Sequence, residues 1–142
     1  MVELAGHAFE DLGNYFTIIA DWLDAPRVTS LVLMEDARAR GFALVARHNR
    51  LGFLMRPTAE LVALVLDPKA RGRGLGRVLL EAAEAEAGRF QAREMWLHTA
   101  EDNFRARKFF AMRGYVESGP RRDQRRYPHG QKALEFRRAL GE

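Results

Sequence analysis

Residues 60–76 constrain the fold of this chain more than any other stretch. Glu60 to Leu66 is a near-continuous apolar run, Asp67-Pro68 breaks it, and Lys-Ala-Arg71-Gly72-Arg73-Gly74-Leu75-Gly76 follows. Such a run, bounded by Asp-Pro, reads as a central strand covered on both faces. From about Gly74 to Ala87, residues Leu75, Val78, Leu79, Ala82 and Ala83 fall on one face, with Glu81, Glu84 and Glu86 largely elsewhere, as in an amphipathic helix. Gly88 is its expected stop. Met95 to Thr99 reads as a further short strand, so a strand–helix–strand unit sits at the centre of a mixed α/β sheet.

The flanking segments supply the remaining elements. Val2 to Ala5 is a short first strand, and His7 to about Asp24 reads as one or two helices because Leu12, Phe16, Ile19 and Leu23 recur at helical spacing. Arg27 to Met34 and Gly41 to Arg47 form a hairpin across the polar turn Glu35 to Arg40. Asp102 or Asn103 caps a helix carrying Phe104, Lys108, Phe109 and Met112, which Gly114 ends. Tyr115 to Ser118 and Ala133 to Phe136 are two last strands, joined by a basic loop. The expected order is β, α, β, β, β, α, β, α, β, β, in a single domain spanning residues 1–142.

Composition excludes several classes of function. With no cysteine there is neither a disulfide framework nor a thiolate nucleophile, and His7, His48, His98 and His129 show no metal-ligand spacing. The apolar runs are too short to span a bilayer and the N-terminus lacks a basic leader pattern, so cytoplasmic residence is the expectation. Charge is uneven: residues 103–142 hold 11 Lys+Arg against 4 Asp+Glu, a net of +7 within an overall +4. The Arg121 to Arg126 cluster comes without a recognition helix or RNA-binding aromatic motif, so a solvated loop is favoured over a nucleic-acid surface.

The glycine segment carries the chemistry. Glycines at 72, 74 and 76 allow a tight turn and close backbone approach. Amides at a helix start lack intrahelical acceptors and the dipole there favours an anion, which a diphosphate satisfies. Arg71 and Arg73 add positive charge. No Gly-Lys pair occurs anywhere, which removes the nucleoside-triphosphate loop, and Arg77 stands where the dinucleotide fingerprint needs its third glycine.

Leu64-Val-Leu-Asp-Pro, then Arg71-x-x-Gly74-x-Gly76 and Val78-Leu-Leu, resembles motif A of the GNAT superfamily of acetyl-CoA-dependent N-acyltransferases. Asn103-x-x-Ala106-x-x-Phe109-Phe110 with Gly114-Tyr115 resembles the second motif of that superfamily. The resemblance covers residues 28–138 and implies a mixed, mostly antiparallel twisted sheet around a central βαβ coenzyme-binding unit. It implies acetyl-CoA as co-substrate, with no metal, and an amine acceptor that is a small molecule or a peptide. A binding module that holds acyl-CoA without turnover is the alternative, and a homodimer is compatible because family members often dimerise.

It also implies roles for particular residues. Strand Glu60 to Leu66 would splay from the next strand to admit pantetheine, paired by backbone groups of Val65 and Leu66. The amides of Arg71, Gly72, Arg73, Gly74, Leu75, Gly76 and Arg77 would hold the pyrophosphate. Asn103 would bond the pantetheine arm, or act simply as a helix cap. Phe110 stands where many members carry the tyrosine that protonates the departing sulfur, so either the thiolate leaves unassisted or Tyr115, Tyr127 or water is the donor. A backbone N–H near the end of the strand serves the oxyanion.

His98 lies five residues before Asn103, where the related ribosomal-protein alanine N-acetyltransferases carry a catalytic glutamate, and an imidazole is a competent base near neutral pH. Glu60, at the start of the coenzyme strand, is the second candidate base, with a solvated strand-end carboxylate as its plainer reading. The tail from Gly119 through Tyr127-Pro128 to Phe136 is similar to the tyrosine-containing loop of the same enzymes, which suggests a peptide substrate, or else a brace for the last hairpin.

Overall fold

In the computed structural model, residues 16–22, 27–49, 56–120 and 130–141 are described. The expected strand at Val2 to Ala5 and the basic loop with Tyr127 lie outside them. Seven strands form one sheet: β1 (Phe16–Trp22), β2 (Val28–Glu35), β3 (Arg38–His48), β4 (Thr58–Leu66), β5 (Glu94–Ala100), β6 (Val116–Pro120) and β7 (Ala133–Ala139). Helix α1 (Leu75–Arg89) joins β4 to β5, and α2 (Phe104–Ala111) joins β5 to β6. The spatial order is β1-β2-β3-β4-β5-β7-β6, antiparallel at every pair except β4–β5.

Over Phe16 to Trp22 a strand stands where one or two helices were expected from His7 to about Asp24; the rest of that span lies outside the described residues. The segment pairs with β2 along its whole length, from Phe16↔Glu35 to Trp22↔Thr29. Phe16-Thr-Ile-Ile is as rich in branched residues as any strand here, and an available ladder on β2 overrides the helical spacing of Phe16 and Ile19. The hairpin turn is also tighter than expected. Glu35 pairs with Arg38, leaving only Asp36 and Ala37, both at positive φ (50° and 66°), the geometry of a two-residue turn.

One face of the sheet carries both described helices, and among the described residues the opposite face carries none. Leu31, Leu33, Ala43, Val45, Ala59, Leu61, Met95, Leu97 and Phe136 point to that side and close a core with Leu75, Leu79, Leu80, Ala83 and Ala87 of α1 and Phe110 of α2. Among the described residues β4 is therefore covered on one face and not on both. Among the described residues nothing packs over Val62 and Val65, which are 49% and 46% exposed. An apolar run alone does not distinguish a doubly covered strand from one whose second face lines a site.

Helix ends follow local chemistry. Gly88 does not stop α1; the chain continues to Arg89, and Gln91 takes the left-handed position at φ 61°. Gln91 N bonds Gly88 O at 3.0 Å and Ala92 N bonds Ala87 O at 3.1 Å, a Schellman closure with Ala92 buried behind it. Gly114 does end α2, at φ 88°, where Tyr115 N bonds Phe110 O at 3.1 Å and their rings lie 5.5 Å apart. Gly41 answers a different need. A Cβ there would lie 2.5 Å from the Val65 carbonyl oxygen, so β3 and β4 reach this spacing only with glycine. Gly41→Ala is expected to lower unfolding stability in urea by roughly 2 kcal/mol, since the obstacle is backbone and not a movable side chain.

Candidate active site

The centre of the site is a place where the sheet fails to close. β4 and β5 pair at only two positions, Ala59↔Met95 and Glu60↔Trp96. Just beyond, the β3–β4 register jumps from Val45↔Leu61 to Leu44↔Ala63, which leaves Val62 as a bulged extra residue on β4. A bulge bends its strand and sharpens the local twist, so β4 leaves β5 here. From Leu61 to Leu66 the β5-facing edge of β4 has no strand partner, a splay open to both faces of the sheet.

At the far end of this gap lies the glycine cradle. Asp67 Oδ1 accepts from Lys69 N at 3.1 Å and starts a short 3-10 turn at Pro68–Ala70. Gly72 and Gly74 follow at φ 79° and 76°. Gly74 is the N-cap of α1 and offers no side chain to it, so the first amides of the helix are left for a ligand. A Cβ at Gly72 or Gly74 would meet nothing within 4 Å; these glycines are required by conformation and not by crowding. Gly76 is different, since a Cβ there would lie 3.2 Å from the Phe109 ring, which packs the start of α1 against α2.

A cavity of about 430 Å³ extends from the cradle between α1, α2 and β4. Leu66, Arg71, Gly72, Gly74, Leu75, Gly76, Arg77, Asn103 and Phe110, all expected coenzyme residues, line it. Leu64, Arg105, Phe109 and Arg113 also line it, and the sequence reading missed them. Their common signal is position: alternate residues of β4, and one face of α2 beside Asn103. The side chains of Arg71 and Arg105 make no hydrogen bond or ion pair among the described residues, whereas Arg77 pairs with Glu81 at 3.0 Å and Arg113 stacks 3.9 Å from the Phe109 ring centre. Asn103 Oδ1 caps α2 through Ala106 N at 3.2 Å, so a ligand would meet only the donor half of its amide.

Arg73 and Val65 stand apart from the cavity. The Arg73 guanidinium forms a two-pronged pair with Glu35 at the end of β2, one prong Nη1 to Oε1 at 3.1 Å. Arg40 joins from β3, 3.3 Å from Glu35 and 3.5 Å from Asp67. The hydrogen bond from Arg73, aided by both arginine charges, holds the Glu35 carboxyl below the usual carboxylate range despite its burial. The Arg73 side chain thus braces the cradle to the β2–β3 hairpin, and only its backbone belongs to the cradle. The Val65 side chain lies on the helix-free face, so only its backbone adjoins the gap.

At the vertex of the splay a polar and aromatic cluster occupies the helix-free face. Glu60 Oε1 lies 2.8 Å from His48 Nε2. The Trp96 ring sits 5.1 Å from His48 and 5.4 Å from His98, and its Nε1 donates to Thr58 Oγ1 at 3.2 Å. His98 Nε2 is 3.2 Å from Glu135 Oε1. Burial of Glu135 opposes its charge, yet Arg137, Ser118 and His98 outweigh this and hold its carboxyl below the ordinary range. Both candidate bases, Glu60 and His98, are therefore in one cluster flanking Trp96; Tyr127 lies outside the described residues.

Tyr115 does not replace the missing donor at Phe110. Its hydroxyl donates to Glu84 Oε2 at 2.8 Å on the helix side, and burial, reinforced by Glu84, raises its pKa far above that of a free phenol. Phe110 itself is core, packed edge-on against Phe109 and Tyr115.

A split sheet beside an uncapped, glycine-led helix gives the chain a backbone-lined gap that runs to a helix start suited to an anion. The chain belongs to the acetyltransferase (GNAT) family, whose model matches residues 3–115. An uncharacterized N-acetyltransferase of Mycobacterium bovis is 30% identical over 114 residues, covering 80% of this chain and 69% of the relative. Nourseothricin acetyltransferase superposes with a TM-score of 0.70 at 20% identity, covering 89% of this chain and 84% of that one. The NatC complex bound to Gag peptide and CoA gives 0.70 at 17%, covering 79% and 71%. The fold is the GNAT fold and the protein is an acetyltransferase that uses acetyl-CoA. Among the described residues no group of His, Asp and Glu is arranged to hold a metal.

Two outcomes are expected. Gly74→Ala places a Cβ at φ 76°, and a strain of roughly 1–2 kcal/mol weakens acetyl-CoA binding about tenfold by calorimetry. Tyr115 has a raised folded pKa, so its contribution is fully present below the unfolded value near 10 and is lost as pH rises above it. Urea midpoints followed from pH 9 to 11 should fall in the wild type, and Tyr115→Phe should lack that component while losing about 1 kcal/mol at neutral pH.

Proposed function

We propose that the protein acetylates a primary amine that enters from the helix-free face and meets the acetyl group at the splay between β4 and β5. The observation that carries this reading is the two-rung pairing of β4 with β5. A coenzyme arm running from the cradle along the unpaired edge of β4 ends at Glu60 and Trp96, where the acidic and aromatic cluster begins. Acetyl-CoA supplies an activated acetyl thioester. The chain supplies the backbone N–H groups of the unpaired β4 edge, which offer a hydrogen bond to the carbonyl oxygen, and a carboxylate that takes the proton of the attacking amine.

Glu60 fits the role of base better than His98. It sits at the vertex itself, and its partner His48 is about half exposed, which gives a proton a route to water. The His98 side chain is only 9% exposed and its Nε2 already faces Glu135. His98 then serves to hold Trp96 and the β5 wall of the site.

A peptide N-terminus is the acceptor class this reading favours. Phe42, Val62 and Val65 leave apolar surface on the same face as Glu60, suited to the first side chain of a peptide. The likeness to a NatC complex that holds a peptide and CoA supports the same class. A small amine is the second reading, supported by the wider overlap with nourseothricin acetyltransferase.

Purified protein with acetyl-CoA should release thiol only when an amine is added, and a panel of peptides and small amines ranks the two classes. Acetyl-CoA binding with no amine-dependent release would instead mark a non-catalytic binding module. Glu60→Gln is expected to lower kcat/KM by roughly 10²–10³-fold with acetyl-CoA affinity unchanged.

A further inference from the structure

We infer that His48 is a positioning residue for the reaction: it holds the Glu60 carboxylate so that one oxygen faces the incoming amine. This rests on the reading of Glu60 as the amine's proton acceptor. His48 closes β3 and Glu60 lies in β4; Ala46 is the register partner of Glu60, and His48 that of Thr58. Residues two apart share a face, so the His48 and Glu60 side chains converge diagonally on the helix-free side, Nε2 to Oε1 at 2.8 Å. The Trp96 ring lies against His48, 5.1 Å between centres and tilted 40°, and its own N–H is fixed by Thr58. The imidazole is thus held between a carboxylate and an indole that is itself anchored.

The chemistry follows from which atoms are committed. With Nε2 protonated, His48 donates to Oε1 and fixes the orientation of the carboxylate. Oε2 has no partner among the hydrogen bonds of the described residues and is the oxygen left to accept. When the acceptor ammonium meets Oε2, the N–H bond breaks, an O–H bond forms, and the freed nitrogen pair can attack the acetyl carbonyl. The proton then passes to water at the half-exposed rim of the site. Among the described residues the charged groups near His48 are few. Glu60 faces it from β4; beyond Trp96 lie His98 on β5 and Glu135 and Arg137 on β7. Arg47, its neighbour in β3, turns to the other face, bonding Asn49 and lying 5.5 Å from the Phe90 ring centre.

A donor at position 48, and not its bulk, is what this role needs. Proton–nitrogen NMR of ligand-free protein should show a hydrogen-bonded Nε2–H on His48 that is lost in Glu60→Ala. With acetyl-CoA and an amine that turns over, His48→Ala should lower kcat/KM roughly 10-fold and leave acetyl-CoA affinity unchanged. His48→Gln, which restores an N–H, should recover most of the rate. Absence of the Nε2–H signal, or His48→Gln turning over no faster than His48→Ala while Glu60→Gln is impaired, would overturn the role of His48 alone. Glu60→Gln turning over at the wild-type rate would overturn the base reading and this inference with it.

Discussion

The open edge of β4 depends on two rungs of parallel pairing between β4 and β5 and on the residue that stops a third. Val62, inserted between Leu61 and Ala63 in the β3–β4 ladder, bends β4 away from β5 directly after Glu60↔Trp96. Without that bulge the two strands would zip toward Leu66, and the backbone groups that a coenzyme arm needs would be spent on the sheet. The constraint has a second effect. Because the split passes through the sheet, one ligand can be held from the helix side while a second approaches from the other.

The cradle is rigid for reasons outside its own sequence. Two glycines at positive φ make a turn that costs conformational entropy and supplies no packing. Stability comes from its surroundings: the Glu35–Arg73–Arg40–Asp67 network ties it to the β2–β3 hairpin, and Phe109 against Gly76 ties α1 to α2. Ala70 and Leu75, nearly fully buried, seat both ends of the loop in the core. An anion site made of backbone amides is only as good as the frame that aims them, and here the frame is drawn from β2, β3 and α2.

Departures from the sequence reading have physical causes. Phe16 and Ile19 fit a helical period, but a period in a short branched segment is outweighed by a free β2 edge. Gly88 looks like a helix stop, yet the stop needs a left-handed residue where the chain turns back on Ala87, and Gln91 occupies that position. Arg73 adds positive charge to the glycine segment in the sequence, and in the fold its guanidinium is held by a buried carboxylate 38 residues away. His48 has no motif around it; its pairing with Glu60 exists only because β3 and β4 are antiparallel neighbours in that register.

What the sequence determined by itself is local and backbone-driven: a strand, a glycine turn, an uncapped helix start, and an Asn-capped second helix in the right order. These depend on neighbours within a few residues, so spacing is enough to read them, and they sufficed to indicate the coenzyme. The tertiary structure alone decided which face of β4 is open, where β4 parts from β5, and which acids meet which bases at the vertex. Those are properties of strand register and of the twist accumulated across a sheet, and no single segment carries them.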